Sequence, residues 1–373
     1  MDGSTRGAGR TLLLLGGYGR AGLPTAELLL EETDARLIVA GRDETRARET
    51  ARRLNQGRRD ERVEGMRVDA GDVSSLKAAF SRCDLVTVCT PLTGIGPQVI
   101  DAALDAGIDY LGINVEPAGR SEIEALSDRV ERAGLRFVTD AGLVPGVPAA
   151  LARWSALRFD RVEEVTAGML MHESSLSIGS AVDLMAATGV RPTVYERAAW
   201  RRASLTTTRK LDFGPTFGAH ACYPADIPEM KPLPDQLRLE RAGAYVAGVN
   251  GWVNAVAAVW LVLGLGRSVW GARLGARLLI QANRRSRPPF GIVLAVESLG
   301  EAGGQRQRFR VAFEHSDGWV ATAIPTVCCL LQLLDGTLEP GIRMMGHAVE
   351  VDRFMGDMER LGMKPTVTTE APL

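Results

Sequence analysis

The chemistry most plainly written in this chain is anion binding by backbone. An apolar run, Leu12 to Leu15, leads into Gly16-Gly17-Tyr18-Gly19-Arg20-Ala21-Gly22, and a helical pattern from Pro24 to Glu32 follows at once. The spacing Gly17-x-Gly19-x-x-Gly22 belongs to a strand–turn–helix unit that holds a dinucleotide pyrophosphate. Gly17 is expected to permit the tight turn. Gly19 would let the backbone approach phosphate with no Cβ in the way, and Gly22 would let the helix lie close on the strand. The helix start then offers N–H groups and a positive dipole end to the anion, with Tyr18, Arg20 and Ala21 filling the turn.

Other polar residues fall where such a cofactor would reach them. The second apolar run ends Val39-Ala40-Gly41-Arg42-Asp43. An acidic residue at that strand end would bind the two ribose hydroxyls of NAD; Arg42 suits a 2′-phosphate, so NADP(H) is expected. Asp43 reads as the N-cap of a helix over 44–56. Asp69 ends a third strand and is expected at the adenine edge, while Asp72 reads as another N-cap. Cys89-Thr90-Pro91, Asn114, and Gly142 with Pro145 lie at later strand ends and trace the path of the nicotinamide. Cys89 itself reads as a small apolar strand residue, with no local cation to make a thiolate.

A hydride carrier also needs a partner that moves a proton. Three residues qualify: His172, at the end of a strand; Lys210, beside Arg209; and Tyr223, in His220-Ala-Cys-Tyr223-Pro224. Each has a blander reading, as a structural histidine, a solvated strand lysine and a surface tyrosine. Arg191, Arg209 and the tract Arg284-Arg285-Ser286-Arg287 could meet a substrate carboxylate, although such runs commonly form solvated faces. His172, His220, His315 and His347 form no metal-ligand spacing, so no metal site is expected. No tyrosine has a lysine four residues on, which argues against a short-chain dehydrogenase mechanism.

The elements that must position these groups are legible in the first half. Apolar runs at 12–16, 36–40, 65–68, 85–89, 110–113 and 136–139 alternate with helical segments near 22–33, 43–56, 73–82, 96–107 and 120–133. Repeated β–α units mean a doubly wound parallel sheet of Rossmann type, with ligands at the carboxyl ends of its strands. The domain thus covers 11–150, after a polar, flexible segment 1–10 that lacks a signal-peptide core. Beyond it the pattern is α+β: a strand over 162–170, a helix near 179–188, and strands over 293–299 and 308–314 joined by 300–307. This second, substrate and dimerisation domain is placed at 151–340. The remainder, 341–373, is expected to pack back near the first domain.

Composition narrows the partners. Formal net charge is −1 in 373 residues, which argues against nucleic acid. The cysteines, five in number, form no CxxC pair and fit reduced thiols in a cytoplasmic protein. Among 44 basic residues only Lys77, Lys210, Lys231 and Lys364 are lysines, which limits the choice of a catalytic amine.

GGYGRAG, the AGRD at the second strand end, the CTP after the fourth and above all AGLVPGVPAALAR resemble the saccharopine dehydrogenase-like superfamily, over roughly 11–157. Glu339-Pro340-Gly341 and a final helix over 351–361 resemble its closing segment. The resemblance implies an NAD(P)-dependent oxidoreductase, with an inserted domain over the cofactor and a small-molecule substrate in the intervening cleft. With Arg42 it gives an NADP(H)-dependent reductase acting on a C=N, C=O or activated C=C bond. Reductive condensation of an amino acid with a carbonyl compound is a rival, and a non-catalytic cofactor-binding sensor or scaffold is another.

Residues 243–283 are strongly apolar and lean toward a substrate of low polarity. Ala255–Gly266 is too short to span a bilayer. It reads as a buried helix followed by an amphipathic one, against the core or at a homodimer interface. A peripheral membrane or lipid-substrate surface is the alternative.

Overall fold

The structure, a computed structural model, describes residues 6–370 except 59, 93, 114–118, 175, 177, 205–206 and 248–250. Two compact units make up the chain. The first runs to Ala150 and takes up Trp319–Gly362; the second comprises Leu151–Gly318 and the stretch from Met363.

In the first unit four consecutive leucines, Leu12–Leu15, are at most 2% exposed. A strand can bury side chains on both of its faces only inside a sheet covered by helices on both sides, and that is the setting here. The strands are β1 (Thr11–Leu15), β2 (Arg36–Gly41), β3 (Val63–Arg67), β4 (Leu85–Val88), β5 (Asp109–Gly112), β6 (Arg136–Thr139) and, from the returning segment, β15 (Gly341–Met344). All pair in parallel, in the order β15-β6-β5-β4-β1-β2-β3. The order reverses between β1 and β4, which is where open sheets of this kind take their ligand. Leu13, Ile38, Phe80, Val86, Tyr110 and Phe137 belong to one core cluster in this unit. Asp43 and Asp72 cap the helices Glu44–Asn55 and Val73–Phe80, accepting the N–H groups of Arg46 at 3.1 Å and Ser74 at 2.9 Å.

The return to the first unit comes at Trp319, well before residue 341. The helix Gly318–Leu334 is responsible: nearly every side chain from Ala321 to Leu333 is buried, and Thr326 donates its hydroxyl to the Ala141 carbonyl at 2.6 Å. Its even apolar character gives no hint of which sheet it serves.

The second unit holds a nine-stranded mixed sheet. Its strands are β7 (Arg161–His172), β8 (Thr193–Glu196), β9 (Ala199–Arg202), β10 (Arg209–Asp212), β11 (Ala219–Ala225), β12 (Arg241–Ala247), β13 (Gly291–Ala302), β14 (Gln305–His315) and β16 (Pro365–Glu370). The order is β10-β11-β12-β7-β13-β14-β16, with β8 joining β12 to β9. The hairpin β13–β14 is longer than its apolar residues suggest. Its strands run on past the buried Gly300 as a largely exposed ribbon to Gly303-Gly304, both at positive φ (59° and 74°), the pair that a two-residue hairpin turn needs. The helices Ile178–Ala187, Gly251–Leu263 and Val269–Asn283 form a separate cluster around Met185, Trp260 and Ala276. Among the described residues no helix is long and apolar enough to cross a membrane.

Candidate cofactor site

At the carboxyl end of β1 the chain turns through Gly16, whose φ is +84°. The left-handed residue is therefore Gly16 and not Gly17. A Cβ on Gly16 would stand 2.8 Å from the Thr90 Cβ, so the turn and the end of β4 are fitted to each other. Gly17 lacks room for a different reason: its Cβ would lie 2.9 Å from both the Cβ and the carbonyl oxygen of Leu14. On Gly22 it would lie 2.2 Å from the Gly16 carbonyl oxygen, and that clearance is what lets the helix Gly22–Glu32 start against the strand. Gly19 is similar, at 2.9 Å from the same oxygen. Gly16 and Gly17 donate their N–H groups to the Ala40 carbonyl, and Gly19 donates to Gly16, while among the described residues the N–H groups of Arg20 and Ala21 have no backbone acceptor. A pocket whose glycines leave no space for a Cβ, with unengaged N–H groups at a helix start, fits a dinucleotide pyrophosphate.

The end of β2 is tied to this turn by Tyr18. Its hydroxyl accepts the Asp43 N–H at 3.0 Å, and its ring lies across Gly41. Arg46 stacks on the same ring, 4.8 Å from its centroid. Arg42 is exposed beside it and makes no ion pair among the described residues. Arg46 thus lies on the ring and Arg42 directly follows the glycine beneath it. Asp69, half-buried at the end of β3, turns its carboxylate onto its own loop and accepts the Gly71 N–H at 3.0 Å.

The other strand ends close the site. Cys89 is buried, and burial pushes its thiol up to about 12 against the help of a Thr25 contact, so it supplies no thiolate. Thr90 and Pro91 follow it at the surface of the turn. After β6, Asp140 sits at φ +56° and is 1% exposed, held by two 3.0 Å hydrogen bonds from Arg120. The loop then folds on itself, with Gly142 donating to the Pro145 carbonyl at 3.1 Å. Asn114 lies outside the described residues. Trp319, which the sequence reading assigned to the other domain, lies in the first unit, with the Arg20 guanidinium 5.6 Å from its ring centroid. No local feature of the sequence ties those two residues together.

The three proton-donor candidates belong to the second unit and do not gather. Sheet register decides this, because alternate side chains face opposite sides. Lys210 pairs with Ala221, two residues before Tyr223, so Lys210 and Tyr223 share one face, and both are exposed. Leu211, Cys222, Tyr245 and Leu170 form the core on the opposite face, and His172 follows Leu170 by two residues on that side. His172 is 6% exposed. Its Nδ1 donates to the Pro289 carbonyl at 2.8 Å, and its ring packs on Phe290.

Arg209, considered for a substrate carboxylate, is engaged within the sheet. It and Arg241 hold the buried Glu164 from two sides, Arg241 Nε at 2.7 Å. Burial alone would raise the Glu164 pKa, but the two guanidinium groups outweigh it and hold the carboxyl below the ordinary glutamate value. All five cysteines are buried free thiols, and among the described residues no cluster of three or more His, Cys, Asp or Glu could hold a metal.

Known proteins share these features in part. Residues 12–138 match the saccharopine dehydrogenase NADP-binding domain. A protein of Mycobacterium tuberculosis provisionally named a trans-acting enoyl reductase is 30% identical over 160 residues, and its counterpart in a second strain matches equally. That match takes in 42% of this chain and only 38% of the relative's own length. Among solved structures, saccharopine dehydrogenase (L-Glu forming) of Saccharomyces cerevisiae superposes with a TM-score of 0.70 at 16% identity, over 97% of this chain and all of that one. At that identity the likeness speaks for the fold, a parallel dinucleotide-binding sheet joined to a mixed-sheet unit. Residues 12–138 thus carry the match to the saccharopine dehydrogenase NADP-binding domain, and the chain as a whole shares its fold with saccharopine dehydrogenase.

Proposed function

We propose that the protein is an NADP(H)-dependent reductase that acts on a C=N, C=O or activated C=C bond of a small molecule of low polarity, with an activated C=C bond as the first choice. The observation that carries the cofactor part is Arg42, exposed and without an ion pair at the end of β2, next to a Tyr18 ring already stacked by Arg46. Two arginines at that place favour a phosphorylated ribose over a bare one. The glycine turn would hold the pyrophosphate, while Thr90, Pro91, Gly142 and Pro145 would border the nicotinamide. Bound there, the cofactor supplies the hydride.

The choice among acceptors leans on the relative named an enoyl reductase. For the proton, Lys210 and Tyr223 are carried forward, because they are exposed on one sheet face and within two register positions of each other. His172 is committed to Pro289 and Phe290.

Quenching of tryptophan fluorescence by NADPH and NADH tests the cofactor. NADPH should bind more tightly, and Arg42→Ala should weaken NADPH roughly tenfold or more while leaving NADH nearly unchanged. Equal loss for both cofactors would remove Arg42 from phosphate recognition. NADPH oxidation should then be followed with enoyl thioesters, imines and ketones. Tight binding with no turnover on any of them would overturn the reductase reading and leave a cofactor-binding module.

A further inference from the structure

The helices Gly251–Leu263 and Val269–Asn283 form an antiparallel hairpin whose inner side is built for close approach. Gly271, Ala272, Gly275 and Ala276 are buried, Trp260 donates its indole N–H to the Gly271 carbonyl at 2.8 Å, and a Cβ on Gly275 would stand 2.6 Å from that indole nitrogen. The outer side is unlike an ordinary solvated surface. Trp252, Ala255, Val259 and Val262, at spacings of three and four residues, form one exposed stripe on the first helix, with Leu263 beside it. The stripe continues into Val269 and Trp270, each 70% exposed. On the second helix the exposed stripe runs Trp270, Arg273, Arg277, Gln281, Arg284. The two stripes meet where Arg285 lies 5.4 Å from the Trp252 ring centroid.

Charge says what covers such a face. From Ala242 to Val296 there is no aspartate or glutamate, while Arg267, Arg273, Arg277, Arg284, Arg285 and Arg287 are all exposed. A two-fold self-contact would set these arginines against their own copies with no carboxylate from the hairpin between them. An anionic bilayer surface meets both stripes at once: acyl chains and headgroup boundary for the tryptophans and aliphatic residues, lipid phosphates for the arginines. The first helix has 13 residues, about 20 Å at 1.5 Å per residue, which is short of the roughly 30 Å hydrocarbon core. That suits a hairpin lying in the interface plane.

We propose that this hairpin docks the protein on anionic phospholipid membranes, with the Trp252–Trp270 stripe inserted at the acyl boundary and the arginines on lipid phosphates. The test is flotation of the full chain with vesicles of phosphatidylcholine alone and of phosphatidylcholine mixed with phosphatidylglycerol. The protein should float with the mixed vesicles, stay behind with the neutral ones, and be released by salt. Val262→Ser with Trp270→Ser should abolish flotation. Arg273→Gln with Arg277→Gln, which leaves the apolar stripe whole, should lower the partition coefficient about fivefold per arginine. Unchanged NADPH binding and circular dichroism show that each variant is folded. Absence of flotation in the wild type, equal binding to both vesicle types, or a sedimentation-equilibrium dimer that the serine variant dissociates without any vesicle binding would each overturn the proposal, the last by showing a second copy on this face.

Discussion

Tyr18 and Gly41 occupy one space: a Cβ on Gly41 would lie 2.5 Å from the Tyr18 hydroxyl oxygen and 2.6 Å from its ring. The tyrosine comes from the glycine turn and the glycine from the end of β2, directly before Arg42. The contact therefore fixes the backbone that carries Arg42 relative to the turn. Gly41→Ala should push the ring away and weaken NADPH binding, and Tyr18→Phe, which loses only the hydrogen bond from Asp43 N–H, should cost less. We expect a loss of about 1 kcal/mol or less for the phenylalanine, or up to about fivefold in Kd, and a clearly larger one for the alanine. Calorimetric titration with NADPH measures both.

The pair Arg120–Asp140 should be a stability element of the first unit. Asp140 is 1% exposed and Arg120 about one-fifth exposed, and their two hydrogen bonds are both 3.0 Å. Arg120→Met would leave a buried carboxylate with only Thr139 as hydroxyl donor. The expected loss is about 3–5 kcal/mol, read as a lowered urea midpoint. Asp140→Asn should be milder, since asparagine tolerates the left-handed backbone.

Acid should weaken the second unit through Glu164. Its folded pKa lies below the ordinary 4.5, so the unfolded chain takes up the proton first as pH falls. The stabilisation is complete above the ordinary value and is lost as pH drops through the lower folded one. Glu164→Gln should reduce stability at neutral pH and flatten its dependence below about pH 5. Unfolding midpoints from pH 7 to pH 3 give the comparison; an unchanged slope would show that the two arginines do not govern this carboxyl.

Thiol chemistry offers a simpler check. Burial raises every cysteine: Cys83 and Cys89 to about 12, Cys222 to about 11, with Cys328 and Cys329 also raised. A disulfide reagent at pH 8 should find almost no reactive thiol in the native protein and all five after denaturation. Rapid native labelling of Cys89 would contradict its burial beside Thr25.

Much of the first unit is legible because its central strands β1, β2 and β4 are apolar runs and two of its helices begin on Asp43 and Asp72. The glycine turn was legible in position but not in detail: Gly16 has no place in the spacing motif, yet it carries the positive φ. β15 (Gly341–Met344) and β16 (Pro365–Glu370) escape a reading by apolar runs, since an exposed Arg343 interrupts the first and the second is almost wholly exposed. The candidate proton donors were harder still. Lys210, Tyr223 and His172 are linked only through the registers of β10, β11, β12 and β7, and no local pattern shows that two share a face and the third does not.

The return of Trp319–Gly362 to the first unit bears on how the protein is made. A ribosome adds residues in order, and the β1–β6 sheet emerges early with β6 as an open edge. That edge stays unpaired until Gly341–Met344 arrives, after Leu151–Gly318 of the second unit has left the exit tunnel. The nascent first unit thus waits through roughly two hundred residues of synthesis, about 10–40 s at ordinary elongation rates. Over that interval β6 is a free template for strand addition, and chaperone occupancy of the stalled chain should fall once residue 344 is exposed.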